Sequence, residues 1–161
     1  MVRWLSDEEM GAWIRLVSMC ELLPATLDSQ LRRDSGLSHF DYFVLVRLSN
    51  APNRMLRMST LAAQTNATLP RLSHVVARLE QRGLIERTPC PEDARATNAR
   101  LTTVGLDKAA QAAPGHVETV RHHVIDALTP QQLQQLRDIA GAVLRRLDPD
   151  DRFGVEDMDG R

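Results

Sequence analysis

The sequence is poor in the residues that build a disulfide framework, a structural zinc site or a membrane segment. Its two cysteines, Cys20 and Cys90, lack the CxxC spacing of such metal sites. Aromatic residues make up only 4% of the chain. No apolar run approaches the ~18 residues that span a bilayer, and the N-terminus has no signal-peptide pattern. We therefore expect a soluble protein in the reducing cytoplasm, with no membrane partner.

A strong charge of either sign is also absent from the chain as a whole, because the formal net charge is −1. The charges are nevertheless unevenly distributed. Residues 54–100 carry eight arginines against four acids, whereas the chain from residue 148 carries six acids against two arginines. A basic middle indicates an anionic partner. We expect residues 149–161 to form an acidic, disordered tail.

Residue sets that support catalysis or metal binding are missing as well. The sequence contains no nucleophile paired with a base, no glycine-rich phosphate loop and no carboxylate pair at a useful spacing. His116, His122 and His123 come nearest to a metal motif. Adjacent histidines point to different faces of a helix, and no acid or histidine at ligand spacing accompanies them, so we interpret them as solvated surface. We expect neither an enzyme nor a bound cofactor.

Helical patterning, by contrast, is plentiful. Ser6 followed by Glu9 is a capping box at a helix start. Apolar residues at spacings of three and four then occupy residues 13–27, and Gly36 ends the segment. Pro24 predicts a bend or a weak point within this first helix.

A helix-turn-helix pattern occupies the middle of the chain. After a second helix that starts near Ser38, the sequence predicts a short helix over 59–65 and a longer one over 69–82. Thr68 is the expected N-cap of the longer helix, and Gly83 its stop.

A hairpin and two further helices complete the chain. Residues 84–87 and 99–102 are predicted as two short strands joined by a polar, proline-containing loop. The next helix is predicted to begin at Thr102 or Thr103 and to break near Pro114. Thr129, followed by proline and glutamine, then starts a last helix that runs to about residue 147.

The helix over 69–82 has two contrasting faces. Arg71, His74 and Arg78 fall on one face, with Ser73 beside them. Arginines on such a face can pair with guanine O6 and N7 in a DNA major groove. An ordinary solvated helix face is the alternative for this feature taken alone. The opposite face is apolar and is expected to pack on the preceding helices: Leu72, Val75, Val76 and Leu79.

The hairpin adds an arginine near its tip. Arg95 is predicted to enter the narrow, electronegative minor groove next to the major groove that the helix over 69–82 would occupy. Asp93 is expected to hold its guanidinium in place. An exposed loop arginine without a role is the alternative. Together with the helix-turn-helix spacing, the hairpin favours DNA binding over catalysis.

These motifs resemble the MarR family of bacterial winged helix-turn-helix transcription regulators. The family pattern RLExxGLIxR is similar to RLEQRGLIER at residues 78–87. A wing of the form D-x-R followed by L-T occurs at 93–95 and 101–102. The resemblance covers about residues 6–147. The order and spacing of these motifs together are highly specific.

The resemblance implies a mainly α fold with a small β-hairpin, in which a winged helix-turn-helix is flanked by N- and C-terminal dimerisation helices. It assigns residues 1–37 and 104–148 to dimerisation and 38–103 to DNA binding. Two recognition helices of a homodimer would then read a pseudo-palindromic operator in double-stranded DNA, with half-sites about one turn apart. The wing departs from the family at Ala94, where a basic residue is common.

The resemblance also implies a sensor for a small aromatic effector. Trp13 and Phe40 are candidates for its pocket, with plain core packing as the alternative. Some relatives instead oxidise a cysteine of the N-terminal helix. Cys20 lies on that helix but has no evident cation nearby, and Cys90 of the wing loop is expected to be more exposed.

The motifs and the resemblance together predict a dimeric, sequence-specific DNA-binding regulator, and the resemblance implies a repressor released by a small-molecule effector. A cysteine-based redox regulator and a winged helix that binds another protein are the alternatives. The residues predicted to contact DNA are Thr68, Leu69, Pro70, Arg71, Ser73, His74, Arg78, Asp93 and Arg95.

Overall fold

The computed structural model describes residues 1–91 and 93–155, which form a mainly helical chain with one small sheet, as predicted. The α-helices are α1 (Asp7–Ser35), α2 (His39–Asn50), α3 (Met58–Gln64), α4 (Leu69–Gln81), α5 (Thr103–His123) and α6 (Pro130–Leu147). The strands are β1 (Met55–Arg57), β2 (Ile85–Cys90) and β3 (Asp93–Leu101). None of the helices in this described part is long and apolar enough to cross a membrane.

Most of the helices begin at a hydroxyl side chain that satisfies an otherwise unpaired amide. In the predicted capping box of α1, the Glu9 amide donates to Ser6 Oγ at 3.2 Å and the Ser6 amide donates to Glu9 Oε2 at 2.8 Å. Thr68 caps α4 as predicted. Gly36 ends α1 in the left-handed region with φ +63°, which glycine adopts without steric cost.

The core lies where α2, α3 and α4 pack over the sheet. The apolar face of α4 is buried as predicted, together with leucines of α2 and α3 and Ile85 of β2. Burying a side chain of this size contributes roughly 1.5–3 kcal/mol. The residues with no exposed surface include Leu45, Leu48, Leu61, Leu72, Val76 and Leu79.

The sheet is larger than the predicted hairpin, so the short strands expected at 84–87 and 99–102 were wrong in extent. Strand order is β1–β3–β2, all antiparallel, with Met55 opposite Arg100 and Ile85 opposite Leu101. Pro89 lies within β2 at the sheet edge, where its missing N–H costs no ladder bond on the open side. The register shifts just after it, between Pro89 and Cys90.

The predicted break of α5 at Pro114 was also wrong, because the helix runs through it. Proline removes one helical hydrogen bond, but packing against neighbouring helices holds the segment. Ala109 and Ala112, which precede Pro114, are buried, and α5 packs against both α1 and α2. A Cβ at Gly115 would lie 3.0 Å from Gln30 Nε2 of α1, so glycine permits this close approach. The bend predicted at Pro24 does not interrupt α1 either.

The two ends of the chain are packed differently. Residues 7–26 of α1 and all of α6 contain no buried residue. Disorder was expected from residue 149, yet 149–155 form a turn against α2: Phe153 stacks on Phe43 at 6.3 Å between ring centroids, and Arg47 Nη1 donates to the Phe153 carbonyl at 2.7 Å. The rest of the predicted tail, 156–161, lies outside the described residues.

Candidate nucleic-acid interface

The outer face of α4 has the polarity that its sequence predicts. Arg71, His74 and Arg78 are exposed and Ser73 is partly buried, while the opposite face lies in the core. The first turn of α4 protrudes into solvent: Thr68 and Pro70 are exposed, and Leu69 keeps 50% of its surface accessible although it is apolar. A hydrogen-bonding helix face with one protruding apolar residue can meet both base edges and a thymine methyl group.

Arg71 is placed over an aromatic ring. Its Cζ lies 4.5 Å from the centroid of Phe40, the second residue of α2. An arginine over an aromatic face is attracted by the ring's electron density. Phe40 was predicted as a pocket residue only. Its contact with Arg71 of α4 was not indicated by the sequence.

Arg78 differs from Arg71 in having an acidic partner. Its Nη2 pairs with Oδ1 of Asp41, a carboxylate that retains only 5% side-chain exposure. The other oxygen of Asp41 accepts from the Ser38 amide at 2.9 Å, which completes the capping box of α2. Because a buried carboxylate needs its partner, Arg78 joins α4 to α2, whereas it had been predicted to face the DNA.

The wing carries Arg95 in an exposed position, but within β3 and not in a loop. Asp93 Oδ1 accepts from the backbone amide of Arg95 at 3.1 Å. The expectation that Asp93 would hold the guanidinium is thus replaced by a contact to the main chain. Asp93 shapes the strand, and the arginine side chain extends from it.

A cleft of about 380 Å³ separates the start of α4 from the wing. Leu69 and Ser73 line it from α4, and Asp93 and Arg95 line it from β3. These predicted residues are therefore brought together by the fold. The cleft also contains residues that the sequence reasoning missed: Arg57, Ser59, Arg87 and Thr97.

The missed arginines reach the cleft through pairing that no local pattern reveals. Arg57 belongs to β1, a strand of three residues, and its Nη2 donates to Cys90 Sγ at 3.3 Å. Arg87 Nε donates to Glu80 Oε2 at 2.8 Å, and this bond holds the pKa of Glu80 below its usual value. Their basic character was evident in the sequence, but their location depends on the strand order.

The predicted sensing residues are dispersed. Trp13 is 53% exposed on α1 and Cys20 is exposed on the same helix. Cys90, expected to be the more exposed cysteine, is buried at 7% because the longer β2 includes it.

His116 was predicted to be solvated, and this was wrong. Its ring lies 4.7 Å from that of Tyr42 and 6.2 Å from that of His39, between α5 and α2. Burial lowers the pKa of His116, and the nearby His39 lowers it further. Burial lowers the pKa of His39 as well, although Asp28 opposes it. His122 and His123 are exposed, as expected.

Comparison with known proteins indicates a single family for this chain. The model of the MarR family matches residues 37–97. The structure is similar to that of Sco3205, a MarR family transcriptional regulator from Streptomyces coelicolor in complex with DNA, with 44% identity, a TM-score of 0.88 and coverage of 92% of this chain and 93% of that one. It is also similar to AbsC, another MarR family regulator of that organism, with 38% identity, a TM-score of 0.84 and coverage of 91% and 98%.

The chain is also similar in sequence to the transcriptional repressor MprA of Escherichia coli strain K12. The two proteins are 24% identical over 127 residues, and these residues make up 79% of this chain and 72% of MprA.

Proposed function

This chain belongs to the MarR family of transcriptional regulators, and on that premise we propose that it binds double-stranded operator DNA as a homodimer and represses transcription. The observation that carries the proposal is the exposure of two arginines, Arg71 on the outer face of α4 and Arg95 on the wing, where Arg95 shares a cleft with Leu69 and Ser73 of α4. The DNA complex of the similar Sco3205 supports the choice of partner.

The geometry suits a division of roles between the two arginines. α4 presents Arg71, Ser73 and His74 outward, a set that can donate to base edges in a major groove. Arg95 extends from a two-stranded wing, which suits the adjacent minor groove. Thr68 and the first turn of α4 add a helix N-terminus, where amides favour a backbone phosphate.

Dimerisation through α1 and α6 is supported by the apolar surface of these helices. Trp13 and Ile14 of α1 are 53% and 56% exposed, and Ile139 and Leu147 of α6 are 64% and 69% exposed. Apolar side chains repeated along two helices exceed what a soluble monomer commonly leaves open. A second copy of the chain would cover them and set the spacing of two α4 helices.

Repression is supported by the similarity to MprA, a transcriptional repressor, and release by a small aromatic effector stays a prediction. Titrating phenolic acids into the protein–operator complex tests that release. Effector control would be absent if no compound of this class altered operator affinity.

The DNA model is tested by Arg71→Ala and Arg95→Ala. Fragments selected from genomic DNA by the unaltered protein supply the operator, and affinity is measured by gel shift at several salt concentrations. We expect each change to weaken operator binding by about 1–3 kcal/mol if the side chain reads bases, with dimerisation unchanged. Arg121→Ala, at the end of α5 where it pairs with Asp126, is the matched control. Unchanged operator affinity in both variants would refute the docking model.

A further inference from the structure

We propose that Phe40 is a positioning residue for the DNA contact of Arg71, an inference that rests on the proposed function. The ring of Phe40 supports the Arg71 guanidinium from α2, across 31 positions of sequence. The centroid distance of 4.5 Å lies well within the reach of an arginine–aromatic contact.

The chemistry of this support matters for base reading. An exposed arginine loses up to about 2 kcal/mol of rotamer entropy when a contact fixes it. An aromatic face holds the guanidinium plane and offers no in-plane acceptor, so the N–H groups at the edge stay available. A guanine needs two of them, for O6 and N7. Phe40 thus orients the side chain without occupying its donors.

Arg78 provides the internal contrast. It lies two turns after Arg71 on the same helix, and it is also held by α2, but through the carboxylate of Asp41. That contact occupies a guanidinium donor. Two neighbouring residues of α2 therefore hold two arginines of α4 in different ways: Asp41 engages Arg78 in a structural pair, and Phe40 leaves the Arg71 edge open.

Phe40 is itself held firmly enough for this role. It lies in the first turn of α2, between the two capping-box residues Ser38 and Asp41. Its ring is partly buried and packs against the apolar core. A support on a capped helix and against packed side chains keeps its geometry better than one on a loop.

The test is a double-mutant cycle of Phe40→Leu with Arg71→Ala, read as operator affinity. We expect Phe40→Leu to weaken operator binding about fivefold, to relax base preference at the position that Arg71 reads, and to have no further effect in the Arg71→Ala background. Phe40→Trp, which keeps an aromatic face, is expected to restore both affinity and preference. Thermal unfolding of each variant is measured alongside.

The outcomes separate the inference from the proposed function. If the unaltered protein retains no DNA fragment, the proposed function fails. If the unaltered protein binds its operator and Phe40→Leu binds it with equal affinity, only the positioning role is overturned. The same holds if Phe40→Leu lowers operator affinity by the same factor in the Arg71→Ala background as in the unaltered protein. Should Phe40→Leu unfold, the same cycle is run with Phe40→Met, which keeps an apolar side chain without an aromatic face and is held to the same criteria.

Discussion

The winged lobe (residues 38–103) and the terminal helices are both built from amphipathic helices, but they differ in how much apolar surface one chain covers. α4 has Leu72, Val76 and Leu79 fully buried. Leu31 of α1 and Ala112 of α5 are also buried, whereas no residue of α6 is, although α6 carries a comparable apolar stripe. A helical stripe in a sequence therefore shows that a surface must be covered, and not which molecule covers it.

The strongest way to break the lobe is to open a cavity in it. We expect Leu79→Ala to lower the free energy of unfolding by about 2–5 kcal/mol, because a fully buried leucine side chain leaves an unfilled space. Urea denaturation measures the loss, which should not depend on protein concentration. Gln81→Ala on the exposed side of the same helix is the control and should stay within about 0.5 kcal/mol of the unaltered protein. A similar loss in both variants would contradict the assignment of the core.

A smaller effect on the lobe, but a large one on assembly, is expected from Ile139→Glu in α6. Ile139 is 64% exposed in the single chain, so a charge there costs the isolated protomer little. In the proposed dimer the same charge would be buried without a partner, which weakens association. Sedimentation at micromolar concentration should show monomers, whereas Gln135→Glu, an exposed change of equal charge on the same helix, should leave dimers. Dimers in both variants would place the interface elsewhere.

The smallest expected effect concerns the junction of the two regions, where His116 of α5 meets His39 and Tyr42 of α2. Both histidines have pKa values below the ordinary 6.5, so the unfolded chain binds more protons than the folded one as the pH falls. Their contribution to stability is complete above about pH 6.5 and is lost as the pH decreases below it. Urea denaturation between pH 7.5 and 5.5 measures the slope of the free energy of unfolding against pH.

Two variants sharpen this pH prediction. His116→Gln should flatten the slope because it removes one of the two titrating rings. His122→Gln, on an exposed histidine of the same helix, should leave the slope as it was. A slope that His116→Gln does not alter would show that the junction does not govern stability in this range.

The sequence predicted best what is decided locally. The caps at Ser6, Thr68 and Thr129 depend on residues three positions apart, and all three are confirmed. The two faces of α4 were likewise readable from its period. Pro114 was misjudged because a local breaking signal is outweighed by packing against α1 and α2.

The candidate site was predictable in part for the same reason. Arg71 and Arg95 lie in short motifs with their own spacing. The burial of Cys90 and the arrival of Arg57 at the cleft depend on strand pairing between distant segments. The contacts of Phe40 with Arg71, and of Asp41 with Arg78, join residues more than 30 positions apart. No periodicity encodes such pairs.

The first turn of α2 has a thermodynamic consequence. Four consecutive residues divide between two neighbours: His39 and Tyr42 meet His116 of α5, and Phe40 and Asp41 hold α4. A displacement of this turn would therefore alter its contacts with both neighbours. On the proposed roles of Arg71 and Phe40, we expect a ligand whose binding shifts the turn to change the affinity for DNA, and DNA then changes the affinity for that ligand by the same factor.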